Sequence, residues 1–290
     1  MAVATTVEPA RRWLHAADVR AAARRARLEN FPVASVLFSR SLRPRIAAVY
    51  AVARLIDEAG DTAPGDRLAV LDLLDAELRR LPEADVPVLQ GLSPLVREGL
   101  AVEPFLDLVA ANRVDQRVSR YATRADLRDY CRLSAEPVGR IVLDLLGLAT
   151  AERVAWSDDI CAGLQVAEHL QDVGEDLAAG RIYLPAEDLD RHGVDAAVLG
   201  RVVDGTAPSG EQARVVALLA GEVAWARSLL EAGRPLVRTV PGRARLAVAG
   251  FVAGGHAALD AVLAAGADAV HVTPRGSRAA LVRHLVRALR

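Results

Sequence analysis

Apolar residues recur at three- and four-residue spacing along most of the 290-residue chain, as in Ile46, Val49, Tyr50 and Ala53, then Leu68, Leu71, Leu74 and Leu78. That period marks amphipathic helix, and the helix formers Ala, Leu and Arg dominate these segments. Runs of alternating β-branched residues bounded by turns are missing. Pro and Gly fall between the periodic segments, in "PGD" at 64–66, "LPEADVPVLQGLSP" at 81–94, "TAPSG" at 206–210, "VPG" at 240–242 and "TPRG" at 273–276. The segments are longer than strands, and no low-complexity linker divides them. The pattern predicts an all-α chain, a single domain over 1–290 with roughly eight to twelve helices. Residues 1–25 are set apart as a less ordered N-terminal segment.

Charge and cysteine usage narrow the partners. The 36 basic and 37 acidic side chains nearly cancel, which argues against nucleic-acid binding, since that needs a basic excess on one face. Cys131 and Cys161 lack the spacing of a disulfide framework or zinc site and point to a reducing cytoplasm. The opening stretch has no apolar segment behind a basic start, so no signal peptide is expected. Leu246 to Val270 comes nearest to a membrane span, but His256, Asp260 and Asp268 interrupt it. A span needs about 20 predominantly apolar residues, so this segment reads as a buried helix.

Two acidic clusters stand out. "YAVARLIDEAGDTAP" at 50–64 places Asp57 and Asp61 four residues apart; "QVAEHLQDVGEDLAAGRIYLP" at 165–185 does the same with Glu168, Asp172 and Asp176. On a helix each set forms one stripe, and like charges at that spacing cost a few tenths of a kcal/mol each. A single such pair is ordinarily a solvated face balanced by arginine, and Arg54 and Arg181 could be those partners. Two stripes embedded in apolar sequence invite a shared cation. Other sites fare worse. No Glu lies three residues before any of the six His residues, as a di-iron bundle requires, and "AGGHAALD" at 253–260 lacks the spacing of a phosphate loop. His169, about 100° around the helix from Glu168, reads as a packed or hydrogen-bonding residue.

The motifs "YAVARLIDEAGD" and "LQDVGEDLAAGRIYLP" resemble the two Asp-rich motifs of the squalene/phytoene synthase family, and "DYCRLSAEPVGRIVLDLLG" at 129–147 resembles the helix between them. "RLENFPVASVLFSRSLRPRIAAVYA" at 27–51 is similar to the HpnC branch, bacterial enzymes of the hopanoid pathway. The resemblance runs from about residue 27 to 195 and more weakly beyond. It implies a class I terpenoid-synthase-like helical bundle with a central apolar cavity. It also implies Mg²⁺ held by Asp57, Asp61, Asp172 and Asp176, with Glu168 as a further ligand where many relatives carry Asn. Mg²⁺ suits carboxylate and phosphate oxygens. Arg54, Gln165, Arg181, Tyr183 and Tyr130 would contact the diphosphate. Glu58 and Gly60 also depart from the usual pattern, and Glu58 is expected to face solvent or Arg54.

The implied substrate is a prenyl diphosphate. The branch implies that presqualene diphosphate ionises, rearranges and is captured by water as hydroxysqualene. The alternatives are head-to-head condensation of two farnesyl diphosphates to presqualene diphosphate or squalene, and, outside the enzymes, an isoprenoid-binding helical protein. The setting implied is cytoplasmic, with peripheral contact at the inner membrane face and association with other enzymes of the pathway. Only four Phe residues occur, Phe31, Phe38, Phe105 and Phe251. They read as core, leaving aliphatic side chains to wall the pocket.

Overall fold

The computed structural model describes residues 2–16, 40 and 42–290, with side chains from Glu8 onward within the first helix. The 27–51 motif therefore lies outside the described residues except for Arg40 and 42–51, as do Phe31 and Phe38. Residues 1–117 with 137–149 form one compact unit, and 118–136 with 150–290 form another.

The first unit holds α1 (Ala2–Ala16), α2 (Leu42–Asp61), α3 (Arg67–Arg79), α4 (Pro87–Gln90), α5 (Ser93–Arg97) and α6 (Glu103–Asp115). The second opens with α7 (Arg124–Ser134), and the chain then returns to the first unit in α8 (Glu136–Leu145). The second unit continues with α9 (Ala151–Gln171), α10 (Val173–Ala178), α11 (Ala186–His192), α12 (Ala196–Val203), α13 (Ser209–Gly233) and α14 (Leu236–Thr239). It closes with α15 (Gly242–Ala265), a 3₁₀ turn (Gly266–Val270) and α16 (Arg278–Leu289). The described residues thus form sixteen α-helices, more than the spacing predicts. The excess comes from α4, α5, α10, α11 and α14, each of four to seven residues and too short to show a period. No strand occurs among the described residues; Arg120 and Ile182 form one isolated bridge.

The core of the first unit gathers Val52, Leu55, Ile56 and Ala59 from α2, Val70, Leu71, Leu74 and Leu78 from α3, and Phe105, Leu108 and Val109 from α6. The α3 stripe is buried as its spacing predicts, except for the half-buried Leu68. On α2 the expected row of Ile46, Val49, Tyr50 and Ala53 is only half-buried. Val52, Leu55, Ile56 and Ala59 repeat the same i, i+3, i+4 pattern in a neighbouring register, and packing against α3 and α6 selects that row. Of the N-terminal stretch expected to be less ordered, Ala2–Ala16 is helical, with Ala10 and Leu14 buried against this core. Asp66 of "PGD" caps α3, its carboxylate accepting from the Ala69 N–H at 3.1 Å.

In the second unit α9, α13 and α15 pack on one another. Leu230 of α13 fills the space left by two glycines: a Cβ at Gly163 or Gly255 would come to 3.0 or 2.9 Å from its methyl groups. Thr123 and Asp126 close a capping box at the start of α7, and Thr150 caps α9. The segment expected to be a buried helix, now within Gly242–Val270, is long and apolar enough to cross a membrane by composition; half of its apolar stretch is buried in the protein. Phe105 is core as expected. Phe251 is a correction: it is 42% exposed, standing on α15 between Gly250 and Gly254, where a Cβ would meet open space.

Candidate functional site

In the first unit the acidic motif ends α2. The face carrying Val52, Leu55, Ile56 and Ala59 enters the core, which leaves Asp57 and Asp61 exposed one turn apart on the other side. Arg54 and Glu58, both half-buried, face each other with Arg54 Nε 3.4 Å from Glu58 Oε1, so Glu58 lies where its position suggested. Gly60 has a packing reason. A Cβ there would lie 1.9 Å from Asn112 Oδ1 on α6, and Gln116 Nε2 donates to the Gly60 carbonyl at 3.0 Å.

In the second unit the acidic stripe does not ride on one continuous helix. Asp172 leaves helical geometry at φ −108° and ψ 13°, ending α9 and starting α10. The backbone nevertheless keeps its period: Asp172 N–H donates to the Glu168 carbonyl at 3.0 Å, and Asp176 N–H donates to that of Asp172 at 2.8 Å. The three carboxylates stay one turn apart on a common ridge, and Gln165 precedes them by one turn.

The next segment follows from a helix stop. Gly180 takes φ 79°, a conformation that favours glycine, and Arg181 N–H reaches back to the Asp176 carbonyl at 2.8 Å in a Schellman closure. "RIYLP" then runs extended beside residues 119–122, with Ile182 N–H donating to Ser119 O at 2.9 Å and Ala186 N–H to Tyr121 O at 2.9 Å. This places Tyr183, 8% exposed, in a cluster with Tyr130 and Tyr121, ring centroids 5.3 to 5.9 Å apart.

His169 completes the cluster, packed and hydrogen-bonded as its position in the sequence suggests. Its ring lies flat on Tyr183, with centroids 3.8 Å apart and planes inclined by 8°. One ring nitrogen is 3.3 Å from Gln165 Nε2, and the other is 4.0 Å from Asp176 Oδ2. Measured from Asp176 rather than Glu168, the signal is present in the sequence: seven residues are two turns, only about 20° off the same face. Burial pushes the His169 imidazole down to about 3, so it is neutral near pH 7.

The ridge concentrates negative charge. Glu168 is touched by solvent yet crowded by protein, and burial, then the Asp172 charge, raises its carboxyl above the usual range. Burial and then Glu175 raise Asp172. Asp176 is pushed up to about 6, first by burial and then by Asp172, with Arg181 pulling the other way. These oxygens are hard donors held near one another at a cost, a donor set that fits Mg²⁺. Among the described residues no three His, Cys, Asp or Glu side chains close on one point.

Gly174, inside this motif, sets the position of the ridge. A Cβ there would stand 2.1 Å from the backbone oxygen of Val270 in the 3₁₀ turn, and backbone cannot swing aside as a side chain can. Gly174→Ala is expected to lower stability by about 1–3 kcal/mol and to cut turnover with it, as urea unfolding and steady-state rates would show. A variant with wild-type values in both would mean that the turn yields freely.

The model of the squalene/phytoene synthase family matches residues 24–284. Hydroxysqualene synthase of Rhodopseudomonas palustris is 38% identical over 73% of this chain and 71% of its own length. That of Sinorhizobium fredii is 42% identical over 60% of this chain, and the match spans 61% of its length. Among solved structures, the squalene synthase HpnC from Alicyclobacillus acidocaldarius superposes with a TM-score of 0.77 at 42% identity, over 86% of this chain and 94% of that one. A dehydrosqualene synthase at 24% identity shares the fold, with a TM-score of 0.76 over 93% of this chain and 94% of that one.

Proposed function

The chain belongs to the squalene/phytoene synthase family of enzymes, and from that premise we propose that it converts presqualene diphosphate and water to hydroxysqualene and diphosphate. The observation that carries this reading is the crowded carboxylate ridge of Glu168, Asp172 and Asp176 beside Gln165 and Tyr183. Relatives named hydroxysqualene synthase supply the reaction.

In this reading Asp57 and Asp61 of the first unit would hold Mg²⁺, and so would Asp172 and Asp176 of the second, with Glu168. The metal, when bound, supplies Lewis-acid stabilisation of the departing diphosphate. Arg54 and Arg181 bind phosphate oxygens through their planar forks, and Gln165, Tyr130 and Tyr183 donate to the rest. The carbon–oxygen bond to diphosphate breaks, the cyclopropylcarbinyl cation rearranges, and water adds at the product cation and loses a proton. His169, neutral and stacked on Tyr183, orients Gln165 and Asp176 without adding charge. In this reading the isoprenoid packs among aliphatic side chains, which keep water from the early cation. The whole chain acts as one catalytic domain, a reading supported by a single family match running across 24–284. It works in the cytoplasm, at the inner membrane face and beside other enzymes of the pathway.

The name of the Alicyclobacillus structure favours a second reading, condensation of two farnesyl diphosphates to presqualene diphosphate or squalene. Product analysis separates the two. Protein with Mg²⁺ is incubated with presqualene diphosphate or farnesyl diphosphate in separate tubes, and the extracts go to gas chromatography with mass detection. Hydroxysqualene from presqualene diphosphate alone is expected. Presqualene diphosphate or a C30 hydrocarbon from farnesyl diphosphate would replace the first reading with the second.

A further inference from the structure

Helix α16 carries a pattern that the reaction does not use. Its inner face is fixed: Ala280 and Ala288 are buried, His284 Nε2 lies 2.8 Å from Asp260 Oδ2, and Arg283 donates to the same oxygen at 2.6 Å. Ser277 caps the first turn, accepting from Ala280 N–H at 3.1 Å. Arg238 and Arg245 reach the last carbonyls, those of Arg290 and Leu289, at 3.0 and 2.8 Å. The helix is thus held at both ends, and what it presents outward is settled.

That outward face is apolar at its centre. At about 100° per residue, Val282, Val286 and Leu289 lie within about 60° of one another, opposite the buried Ala280 and Ala288 and the half-buried His284. Val282 is 59% exposed and Val286 46%, where a surface helix ordinarily places charge. Arg278 and Arg290 flank this strip, with Arg283 beyond. From His271 to Arg290 there are five arginines and no Asp or Glu, in a chain whose net charge is −1.

We propose that the outward face of α16 docks on an anionic lipid bilayer, with Val282 and Val286 entering the headgroup boundary and Arg275, Arg278 and Arg290 meeting lipid phosphates. An apolar strip framed by arginine is the chemistry of an interfacial helix, and long arginine stems let the charge stay in the headgroups while the valines sink. A second copy of this face is a poorer occupant, because a two-fold contact would set arginine against arginine. The strip has no aromatic side chain, the usual anchor at the centre of a protein interface. With so little apolar area, binding leans on charge and is sensitive to salt.

The test is co-sedimentation of the full chain with vesicles of phosphatidylcholine, with and without phosphatidylglycerol. Binding is expected only with phosphatidylglycerol, with release near 0.5 M salt, where the screening length falls to a few ångströms. Val282→Asp with Val286→Asp is expected to weaken partitioning at least about ten-fold, and Arg278→Glu with Arg290→Glu about five-fold per arginine or more. Both pairs are exposed, so melting temperature and turnover are expected to stay at wild-type values; this keeps the result separate from the proposed reaction. Absence of sedimentation with phosphatidylglycerol, or unchanged sedimentation of both double variants, would overturn the proposal. So would a dimer seen by light scattering that the valine variant abolishes, since the face would then join two copies.

Discussion

Asp172→Asn is expected to lower kcat/KM by about 10³-fold or more, the scale of losing a group that stabilises charge in the transition state, while the metal-free protein melts slightly higher than wild type. The two signs have one cause. Asp172 sits between Glu168 and Asp176, and its charge helps raise the carboxyls of both. Its side chain makes no capping hydrogen bond at the α9 to α10 break, so Asn loses no contact there. Removing one charge relieves repulsion, and a gain of about 1–3 °C is the expected scale for a fraction of a kcal/mol. Asp57→Asn, on the exposed side of α2, is expected to lose turnover on a similar scale. Calorimetry and product-resolved kinetics read both quantities. An Asp172→Asn protein within about ten-fold of wild-type turnover would remove the ridge from the proposed metal site.

The same ridge gives the pH dependence its sign. Asp176 takes up protons near pH 6 when folded and near its ordinary 3.8 when unfolded. The folded state therefore binds more protons between these values, and metal-free stability falls as pH rises through that window. Mg²⁺ with inorganic diphosphate binds only the folded state and is expected to reverse the trend above the window, raising the melting temperature. In Asp172→Asn that rise is expected to vanish.

Much of this was legible in the sequence, and the misses have physical reasons. The three- and four-residue period establishes helix, but on α2 two adjacent rows are apolar, and only contact with α3 and α6 decides which is buried. The four-residue acidic spacing locates the ridge and hides the break at Asp172, because backbone hydrogen bonds carry the period through it. Gly174 looks like an ordinary helix residue until the Val270 carbonyl is placed against it. His169 reads as a packed residue from the sequence, but its stacking on Tyr183 follows only once "RIYLP" is laid beside residues 119–122. Phe251 illustrates the limit of composition: scarcity of aromatics does not bury each one.

Arg124→Met is expected to bring the largest loss of stability. Asp188 and Glu222 are each 1% exposed. Arg124 Nε donates to Asp188 at 2.8 Å and its Nη2 to Glu222 at 2.8 Å, while its backbone N–H donates to Glu187 at 2.8 Å. Its guanidinium also stands 5.3 Å from the Trp225 ring centroid. Arg191 still pairs with Asp188 in the variant, but Glu222 is left without its arginine. Removing one partner of a buried pair costs about 3–5 kcal/mol. The Arg124 side chain is 32% exposed, so water softens the loss toward the lower end, for a fall of about 5 °C.

Glu222 is already pushed up to about 7, chiefly by burial, with Arg124 pulling it down. Wild-type stability therefore falls as pH rises from the unfolded value of 4.5 towards 7, and Arg124→Met extends that fall to higher pH because the restraining charge is gone. Glu222→Gln in the Arg124→Met background is expected to recover much of the loss, since the amide needs no cation. A double-mutant cycle in urea would measure the coupling. A coupling near zero would make the network an ornament of the surface. The network joins α7 and α13 to α11, the helix that follows "RIYLP" directly. Arg124→Met is therefore expected to loosen the Tyr183 segment as well, and to cost turnover before the protein unfolds.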